Sequence, residues 1–323
     1  MTQDLSVPGH RETRRVVSVA LRVLVPLCLV ALIWHFLGAS GGWERLANAS
    51  PLWLAAAVLA AQAQIVLSAF RWRMTAGCLG LEIGRGRAIG EYFLAQLVNM
   101  TLPGGVVGDA ARAARMRHAA GLAVSGEAVV IERMAGQMAL AAVAVPGIAL
   151  ALILGAPLGG AGLALLALSV AGVLLWRFRR AIGARLARPQ LLARFGASIR
   201  AALFDPAVRW RQVALGLAIV ACNLAAFAFC ARATGTPLGP LATVTIVPLI
   251  LTAMLLPLSV GGWGWREGAA AALFPVVGAS AGAGLAASVA FGVVILIAAA
   301  PGAIWPMLGT GGADRSCSGS PSS

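Results

Sequence analysis

The chain has no lysine and little charge of either sign. Only 11% of its 323 residues are charged and 60% are apolar, whereas the surface of a water-soluble domain needs about 25% charged residues. Arginine supplies all 25 basic side chains, against 11 acidic ones, and the formal net charge is +14. This composition excludes a soluble globular protein and indicates a polytopic membrane protein.

A basic complement made only of arginine has two possible meanings. Arginine binds phosphate with a planar guanidinium fork, whereas an arginine bias across a whole proteome carries no functional meaning, and we favour the second. The arginines lie between apolar runs and at their ends, where the positive-inside rule places them. Topology therefore accounts for most of the excess charge, and no nucleic-acid partner is predicted.

Cysteine and histidine are also scarce. The five cysteines have no C-x-x-C spacing, and the three histidines are equally dispersed. Neither a zinc site nor a disulfide framework is supported. We therefore predict no metal, no cofactor and no catalytic residue. The positions concerned are Cys28, Cys78, Cys222, Cys230, Cys317, His10, His35 and His118.

Long apolar runs without period-2 alternation dominate the chain, and in lipid only helices satisfy the backbone of such runs. A crossing of about 30 Å of hydrocarbon needs about 20 apolar residues. The membrane domain is predicted at 16–308, between a tail at 1–15 and a disordered, Gly/Ser-rich tail at 309–323. We predict an all-α protein with six full spans, at 16–37, 52–70, 128–154, 163–176, 213–231 and 285–308.

The distribution of arginines orients these spans. Arg11, Arg14 and Arg15 precede the first run, which predicts a cytoplasmic N-terminus in a bacterial-type inner membrane. A loop at 177–211 separates a first half, to about residue 154, from a second half at 212–308. The loop holds nine arginines against one acid, Asp205, so we expect it to contact the anionic headgroups of the inner leaflet.

Two further apolar segments are broken by proline and glycine. The first, at 92–108, has arginines on both sides, which predicts a re-entrant helix that enters from the cytoplasm. The second follows an uncharged loop at 234–240 and so enters from outside. Many secondary transporters form a substrate site from broken helices in inverted repeats, and we predict such a repeat here. The breaks contain Pro103, Gly104, Gly105 and Gly108, and Pro257, Gly261, Gly262 and Gly264.

Ionisable residues accompany the first break. Asp109 and Arg112 are three residues apart, so they share a helix face and can pair. Glu132 and Arg133 interrupt an apolar run, where an unpaired charge costs at least about 2.5 kcal/mol. We expect Arg133 and Gln137 to line one helix face and Glu132 to reach a neighbouring arginine. An interfacial position for Glu132 and Arg133 is the alternative.

Arg266 and Glu267 follow the glycines of the second break. The helix that resumes there has free backbone N–H groups in its first turn. These groups suit Glu267 or, together with Arg266, an anionic phosphate. Asn99, before the first break, can bind substrate, although satisfying freed backbone groups is the simpler role.

Several of these residues form an ordered pattern: Phe70-Arg71-Trp72-Arg73, Asn99 to Pro103-Gly104-Gly105, Gly108-Asp109 with Arg112, Ile131-Glu132-Arg133, and Pro257 to Gly261-Gly262-Trp263-Gly264-Trp265-Arg266-Glu267-Gly268. Over roughly residues 12–308, this pattern resembles the lysylphosphatidylglycerol synthase transmembrane family. In the aminoacylating members of that family, the synthase chemistry resides in a soluble domain after the membrane part. The chain resembles the translocating half alone, which implies lipid flipping or lipid handling without aminoacyl transfer.

We therefore predict a lipid flippase that moves an anionic, phosphate-bearing headgroup across the membrane. One alternative is a membrane-embedded transferase or accessory protein that acts on phospholipid, polyprenyl-phosphate or hopanoid lipids. Another is a scaffold that docks cytoplasmic partners on the loop at 177–211. The predicted substrate-binding residues are Arg112, Arg133 and Arg266, their counter-charges Asp109, Glu132 and Glu267, and the polar Asn99 and Gln137.

Overall fold

The computed structural model describes residues 35, 41–102, 105–155, 189–254 and 261–308. Within these ranges the chain forms helices and connecting turns and contains no strand, which confirms the all-α prediction. Several predicted features lie outside the described residues: the spans at 16–37 and 163–176, the tails at 1–15 and 309–323, the loop residues 177–188, and Pro103, Gly104 and Pro257.

Ten α-helices occupy the described ranges. A π-helical turn at Arg200–Phe204 follows α6, and 3-10 turns at Phe274–Val277, Ala300–Ala303 and Trp305–Leu308 follow α9 and α10. The helices are α1 Gly42–Ala47, α2 Pro51–Cys78, α3 Arg85–Thr101, α4 Val107–Arg115, α5 Arg117–Ile153, α6 Pro189–Ile199, α7 Arg209–Ala233, α8 Pro240–Ala253, α9 Trp265–Leu273 and α10 Ala281–Ala299.

Four of these helical segments are long and apolar enough to cross a membrane: Pro51–Cys78, Gly121–Ile153, Arg209–Ala233 and Ala281–Ala303. Each contains or overlaps one of the six predicted spans, and the chain is an integral membrane protein. In α5 the span starts at Gly121, because that residue has a left-handed φ of 82° that interrupts the helix.

Two predicted ends are wrong. We expected the second span to end at residue 70, before cytoplasmic arginines, yet α2 continues to Cys78 because Arg71 is buried against a carboxylate instead of facing water. The last span was expected at 285–308, but the observed candidate span is Ala281–Ala303, of which α10 covers Ala281–Ala299. The turn that follows contains Pro301, which has no N–H to continue an α-helix.

Helix α10 is the most buried of the four spans. It packs against α2, α7 and α9, while α2 packs along α7. Small residues allow these close approaches, as is usual between membrane helices. At Gly284 a Cβ atom would lie 2.4 Å from the carbonyl oxygen of Ala270, so α9 and α10 are in backbone contact there.

Both predicted breaks interrupt the helices. The chain leaves helix between α3 and α4, and again between α8 and α9. The two breaks also touch, because a Cβ atom on Gly261 would lie 2.9 Å from the carbonyl oxygen of Met100. Gly261 has a φ of 56°, so both its conformation and the lack of space require glycine. The inverted repeat itself stays a prediction.

Candidate functional site

Five charged side chains meet beside the first break, and we call them the first cluster. They come from three helices that the break brings together: α2, the short α4 that follows the break, and α5. Arg71 lies on α2, Asp109 and Arg112 lie on α4, and Glu132 and Arg133 lie on α5. Ion pairs of 2.5–3.6 Å connect all five.

Glu132 is the buried centre of the first cluster. Its Oε1 accepts hydrogen bonds from Arg71 Nη2 at 2.7 Å and from the Tyr92 hydroxyl at 3.2 Å. Its Oε2 lies 3.6 Å from Arg112 Nη2. The expectation that Glu132 reaches a neighbouring arginine is therefore confirmed, and this one carboxylate lies near two arginines.

Arg112 is fully buried and lies between two aromatic rings. Its guanidinium carbon is 4.3 Å from the ring centroid of Trp72 and 4.4 Å from that of Tyr92. Aromatic faces attract a cation in this geometry and replace part of its lost hydration. Arg112 Nη2 also donates to Asp109 at 3.0 Å, which confirms the pair expected from their spacing. The side chain is thus fixed on three sides.

Asp109 joins the buried part of the first cluster to its exposed part. Oδ1 accepts from Arg112, and Oδ2 lies 2.5 Å from Arg133 Nη2 and 3.3 Å from Asn99 Nδ2. Asn99 Oδ1 accepts from the backbone N–H of Gly108 at 2.7 Å. Asn99 therefore caps the start of α4 from the end of α3, as the simpler of its two predicted roles requires.

Gly108 allows α4 to pack against α3. A Cβ atom at this position would lie 2.1 Å from the carbonyl oxygen of Ala95, so any side chain would force the two helices apart. The close approach carries Asp109 to within hydrogen-bond distance of Asn99. The glycine after the first break is therefore part of the construction of the cluster.

Arg133 gives the first cluster its exposed edge. Its side chain is 44% exposed, whereas the side chains of the other four members are at most 8% exposed. Gln137, one turn further along α5, is exposed as well. Beside the break, Leu102 and Val106 are exposed apolar residues. Arg133 is therefore the part of the first cluster that an external charged group can reach.

The buried part of the first cluster has more hydrogen-bond donors than acceptors. Within the described residues, Nε and Nη1 of both Arg71 and Arg112 have no hydrogen-bond partner, and neither has Trp72 Nε1. Glu132 Oε2 is the one acceptor of the cluster that also has no hydrogen-bond partner among the described residues. Three arginines and two carboxylates also leave a net charge of +1 when all are ionised. The arrangement can accept an anionic group.

Two glycines make room for the Arg71 guanidinium. A Cβ atom on Gly136 of α5 would lie 3.0 Å from Arg71 Nη2, and one on Gly216 of α7 would lie 3.9 Å from Arg71 Nη1. The unpartnered Nη1 thus faces a glycine instead of a polar group. The same Cβ atom on Gly216 would lie 3.0 Å from the Cβ of Ala139, so α5 and α7 are closely packed beside Arg71.

Arg266, Glu267 and Ser288 form a second cluster beside the second break. Arg266 Nη2 lies 2.5 Å from Glu267 Oε1, and Arg266 Nε donates to Ser288 Oγ at 3.0 Å. Glu267 Oε2 accepts from the backbone N–H of Gly264 at 2.6 Å and so caps α9. Of the two predicted partners for that helix start, the structure places Glu267 there.

The second cluster is buried, and Arg266 Nη1 has no hydrogen-bond partner among the described residues. Arg266 is fully buried, and its guanidinium carbon lies 5.0 Å from the Trp263 ring centroid and 5.5 Å from that of Phe291. A Cβ atom on Gly292 would lie 2.4 Å from Arg266 Nη2 and 2.7 Å from the Trp263 ring. The arginine therefore fills a space that has no room for a further group at this point.

The structure brings together six of the eight predicted site residues, five in direct contact around the first break and Gln137 one helical turn from Arg133. Arg266 and Glu267 pair separately in the second cluster. Sequence reasoning missed Arg71 of the first cluster and the two aromatic residues that contact Arg112, namely Trp72 and Tyr92. A signal existed for two of them, because Arg71 and Trp72 belong to the motif that carries the family resemblance. Tyr92 had none.

No group of three or more His, Cys, Asp or Glu side chains in the described ranges could hold a metal ion. The carboxylates of both clusters are instead paired with arginine, so guanidinium groups are the main groups that could bind a ligand. Guanidinium groups bind oxyanions such as phosphate and carboxylate.

A family model described as "Lysylphosphatidylglycerol synthase TM region" matches residues 17–302. Because the match covers most of the chain, the chain belongs to this family, and the resemblance seen in the motifs is confirmed. The family links the chain to membrane lipids. No curated protein and no solved structure matches the chain.

Proposed function

We propose that this chain, a member of the lysylphosphatidylglycerol synthase TM region family, moves a lipid with an anionic, phosphate-bearing headgroup across the inner membrane. Family membership supports a function on membrane lipids. The finer proposal, translocation of a phosphate-bearing headgroup, rests on the first cluster. The N-terminus of the chain is proposed to face the cytoplasm, as the arginines at positions 11, 14 and 15 indicate.

One observation carries the proposal: buried arginines with unpartnered N–H groups stand next to a half-exposed arginine at a helix break. Arg71 and Arg112 are buried at 3% and 0% exposure, yet each has two guanidinium nitrogens without a partner among the described residues. Buried polar groups are normally hydrogen-bonded, and an intramembrane arginine usually faces a partner or a substrate path. A phosphate supplies the missing acceptors and the missing negative charge.

The geometry orders the steps of binding. Arg133 meets the phosphate first, because it is the exposed arginine of the cluster. Arg112 lies one carboxylate away, since Asp109 bridges the two guanidinium groups. Asn99 and Gln137 can add neutral hydrogen bonds on either side. The acyl or prenyl chains remain in the bilayer, so only the headgroup has to be compensated in the low-dielectric region.

Arg266 and Glu267 have a different part in this proposal. Their cluster already pairs its own charges and caps α9, so it holds the second break in shape beside the first. The contact between Gly261 and Met100 joins the two breaks. A change in the second break therefore reaches the substrate site through the backbone.

The test is a flipping assay in proteoliposomes with fluorescent anionic lipids. Wild type should flip an anionic phospholipid, Arg133→Ala should lose that activity, and Glu132→Gln should lose it as well. Arg232→Ala is the matched control, because Arg232 is an exposed arginine that stacks on Trp53 at 4.4 Å, outside both clusters.

Flat traces for folded wild-type protein, across phospholipids and polyprenyl-phosphate lipids, would overturn the proposal. Turnover of a sugar or aminoacyl donor by the same preparation would then favour the transferase alternative. Loss of function on removing the loop at 177–211, without any effect of changes in the first cluster, would favour the scaffold.

A further inference from the structure

We infer that the first cluster selects headgroups by the number of charges on the phosphate: it takes a phosphodiester with one negative charge, and Asp109 sets this preference. The inference rests on the proposed function, because it describes the ligand of the same site. It adds a substrate class and a residue that determines specificity.

The first cluster has one more positive charge than negative charges. Three arginines face two carboxylates, all within an ion-pair network of 2.5–3.6 Å, which leaves one positive charge without a counter-charge. Uncompensated charge is costly inside a membrane. A phosphodiester, with one negative charge, makes the site neutral, whereas a phosphomonoester, which carries nearly two charges above pH 7, leaves it negative.

Asp109 is the carboxylate of the first cluster that an arriving phosphate meets. Glu132 lies at the buried centre and holds Arg71 and Arg112, so it is committed to the interior. Asp109 is the acid that contacts Arg133, at 2.5 Å, where the site reaches the surface. A phosphate that arrives at Arg133 therefore meets the Asp109 charge first. Neutralising this one residue changes the site from +1 to +2 at the point of contact.

Asparagine is the suitable replacement at position 109. It has nearly the shape of aspartate and keeps one oxygen that can accept a hydrogen bond from Arg112 or Arg133. It removes the negative charge and leaves Glu132 in place. The predicted result is a site that prefers two negative charges on the ligand, which means a monoester over a diester.

The experiment compares phosphatidic acid, a monoester, with phosphatidylmethanol, its smallest diester, on the same fluorescent acyl chain at pH 8. Wild type should flip the diester faster by at least about tenfold, since one unneutralised charge in a membrane costs more than that ratio. Asp109→Asn should shift the diester-to-monoester ratio by at least about tenfold toward the monoester.

Glu91→Gln is the matched control. Glu91 is also a buried carboxylate, and it pairs at 2.6 Å with Arg115, which lies on α4 like Asp109. Its replacement should leave the ratio unchanged. Because both lipids are measured on one preparation, a partial loss of folded protein cancels in the ratio. Gln137→Glu, at an exposed position, provides a second test and should slow the diester relative to wild type.

An unchanged ratio in Asp109→Asn, with Arg133→Ala still inactive, would overturn the charge-selection inference and leave the proposed function in place. Equal flipping of both lipids by wild type would do the same. No flipping of either lipid by folded wild type would overturn the proposed function itself. The two failures are therefore distinguishable.

A different observation supports a second inference: the segment at 189–211 binds the anionic lipid surface of the membrane that the protein spans. Phe204 and Trp210 are 56% and 69% exposed. Four arginines of the segment are exposed with them. The segment leads directly into α7, a membrane span, so it lies at the membrane surface. The four arginines are Arg194, Arg200, Arg209 and Arg211.

Hydrogen bonds hold this segment against the helices of the first cluster. Ser198 donates to Glu127 of α5 at 2.9 Å, and Gln212 donates to Thr75 of α2 at 3.0 Å and to the carbonyl of Ala202 at 2.9 Å. Ala202 also packs in one apolar group with Ile131, the residue before Glu132. The basic and aromatic face is thus presented in a fixed orientation.

Hydrogen exchange in nanodiscs tests the second inference. Amides of 193–208 should exchange more slowly in discs that contain phosphatidylglycerol than in purely phosphatidylcholine discs, with the difference reduced at high salt. Each arginine in contact with headgroups should contribute up to about fivefold. Arg194→Gln with Arg200→Gln should abolish most of the difference, while Arg45→Gln with Arg232→Gln should not. Identical exchange in both discs would overturn the inference.

Discussion

At the second break, the arginine and its carboxylate are neighbours in sequence, and Ser288 and the Gly264 N–H form further hydrogen bonds with them, which leaves Arg266 Nη1 as the one unpartnered nitrogen of that guanidinium among the described residues. At the first break, the charges come from three helices, and one arginine remains half-exposed. The adjacent pair neutralises itself whatever the rest of the protein does, so it can hold a bend. The first cluster depends on the relative positions of three helices and has one positive charge without a counter-charge, so it can respond to a ligand.

The largest expected effect on stability comes from Glu132→Gln, which takes the carboxylate from buried Arg71 and leaves buried Arg112 paired with Asp109 alone. Breaking a buried pair costs about 3–5 kcal/mol, and Glu267→Gln should cost less because it affects one arginine, Arg266, which keeps its hydrogen bond to Ser288. The free energy of unfolding in mixed micelles measures both. Arg71→Met combined with Glu132→Gln should recover part of the loss. An equal cost for Glu132→Gln and Glu267→Gln would contradict the comparison.

Filling the glycine spaces should show which cluster has room. Gly292→Ala forces a methyl group to within 2.4 Å of Arg266 Nη2, and overpacking of this kind costs about 1–3 kcal/mol. Gly136→Ala places its methyl 3.0 Å from Arg71 Nη2, a contact that a small shift can relieve, and should cost less. Unfolding midpoints of the two variants give the order, and the reverse order would show that the first cluster is the tighter one.

Asn99→Ala should destabilise the start of α4 by about 1 kcal/mol, because the Gly108 N–H loses its acceptor. The second break solves the same problem locally, since Glu267 caps Gly264 from three residues away. Hydrogen exchange at residues 107–110 measures the effect. Faster exchange confined to α4, with α9 unaffected, is the expected pattern, and a change in both helices would mean that the caps are coupled.

Arg133→Ala should have the smallest effect on stability, within about 1 kcal/mol, despite the large loss of transport proposed for it. Asp109 keeps its bonds to Arg112 and Asn99 when Arg133 is removed. Thermal unfolding and flipping rates measured on the same preparation separate the two effects. A large drop in stability would place Arg133 among the structural residues, together with Arg266.

Local patterns in the sequence were enough to predict the four observed spans, both breaks and the Asp109–Arg112 pair. Apolar length, proline and glycine, and a three-residue spacing are all local properties. The burial of Arg71 could not be predicted in this way, because an arginine that follows an apolar run is the usual sign of a cytoplasmic loop. Its partner, Glu132, lies 61 residues away.

The separation of the predicted site into two clusters also could not be predicted from the sequence, because it depends on contacts between distant helices. Arg112 and Arg266 both follow a glycine-containing break, and an acid lies within three residues of each. Local sequence therefore does not distinguish their roles. Ser288, Phe291 and Gly292 of α10 close the space around Arg266. None of the described helices encloses Arg133 to the same extent, and this difference cannot be read from spacing.

Tyr92 is the one tyrosine of the chain, and its ring lies 4.4 Å from the Arg112 guanidinium carbon while its hydroxyl reaches Glu132. Growth on fluorotyrosine would therefore install a single ¹⁹F nucleus inside the first cluster without any mutation. Its chemical shift would report the local electric field each time a headgroup arrives or leaves. The protein thus carries its own spectroscopic probe at the position where one is most useful.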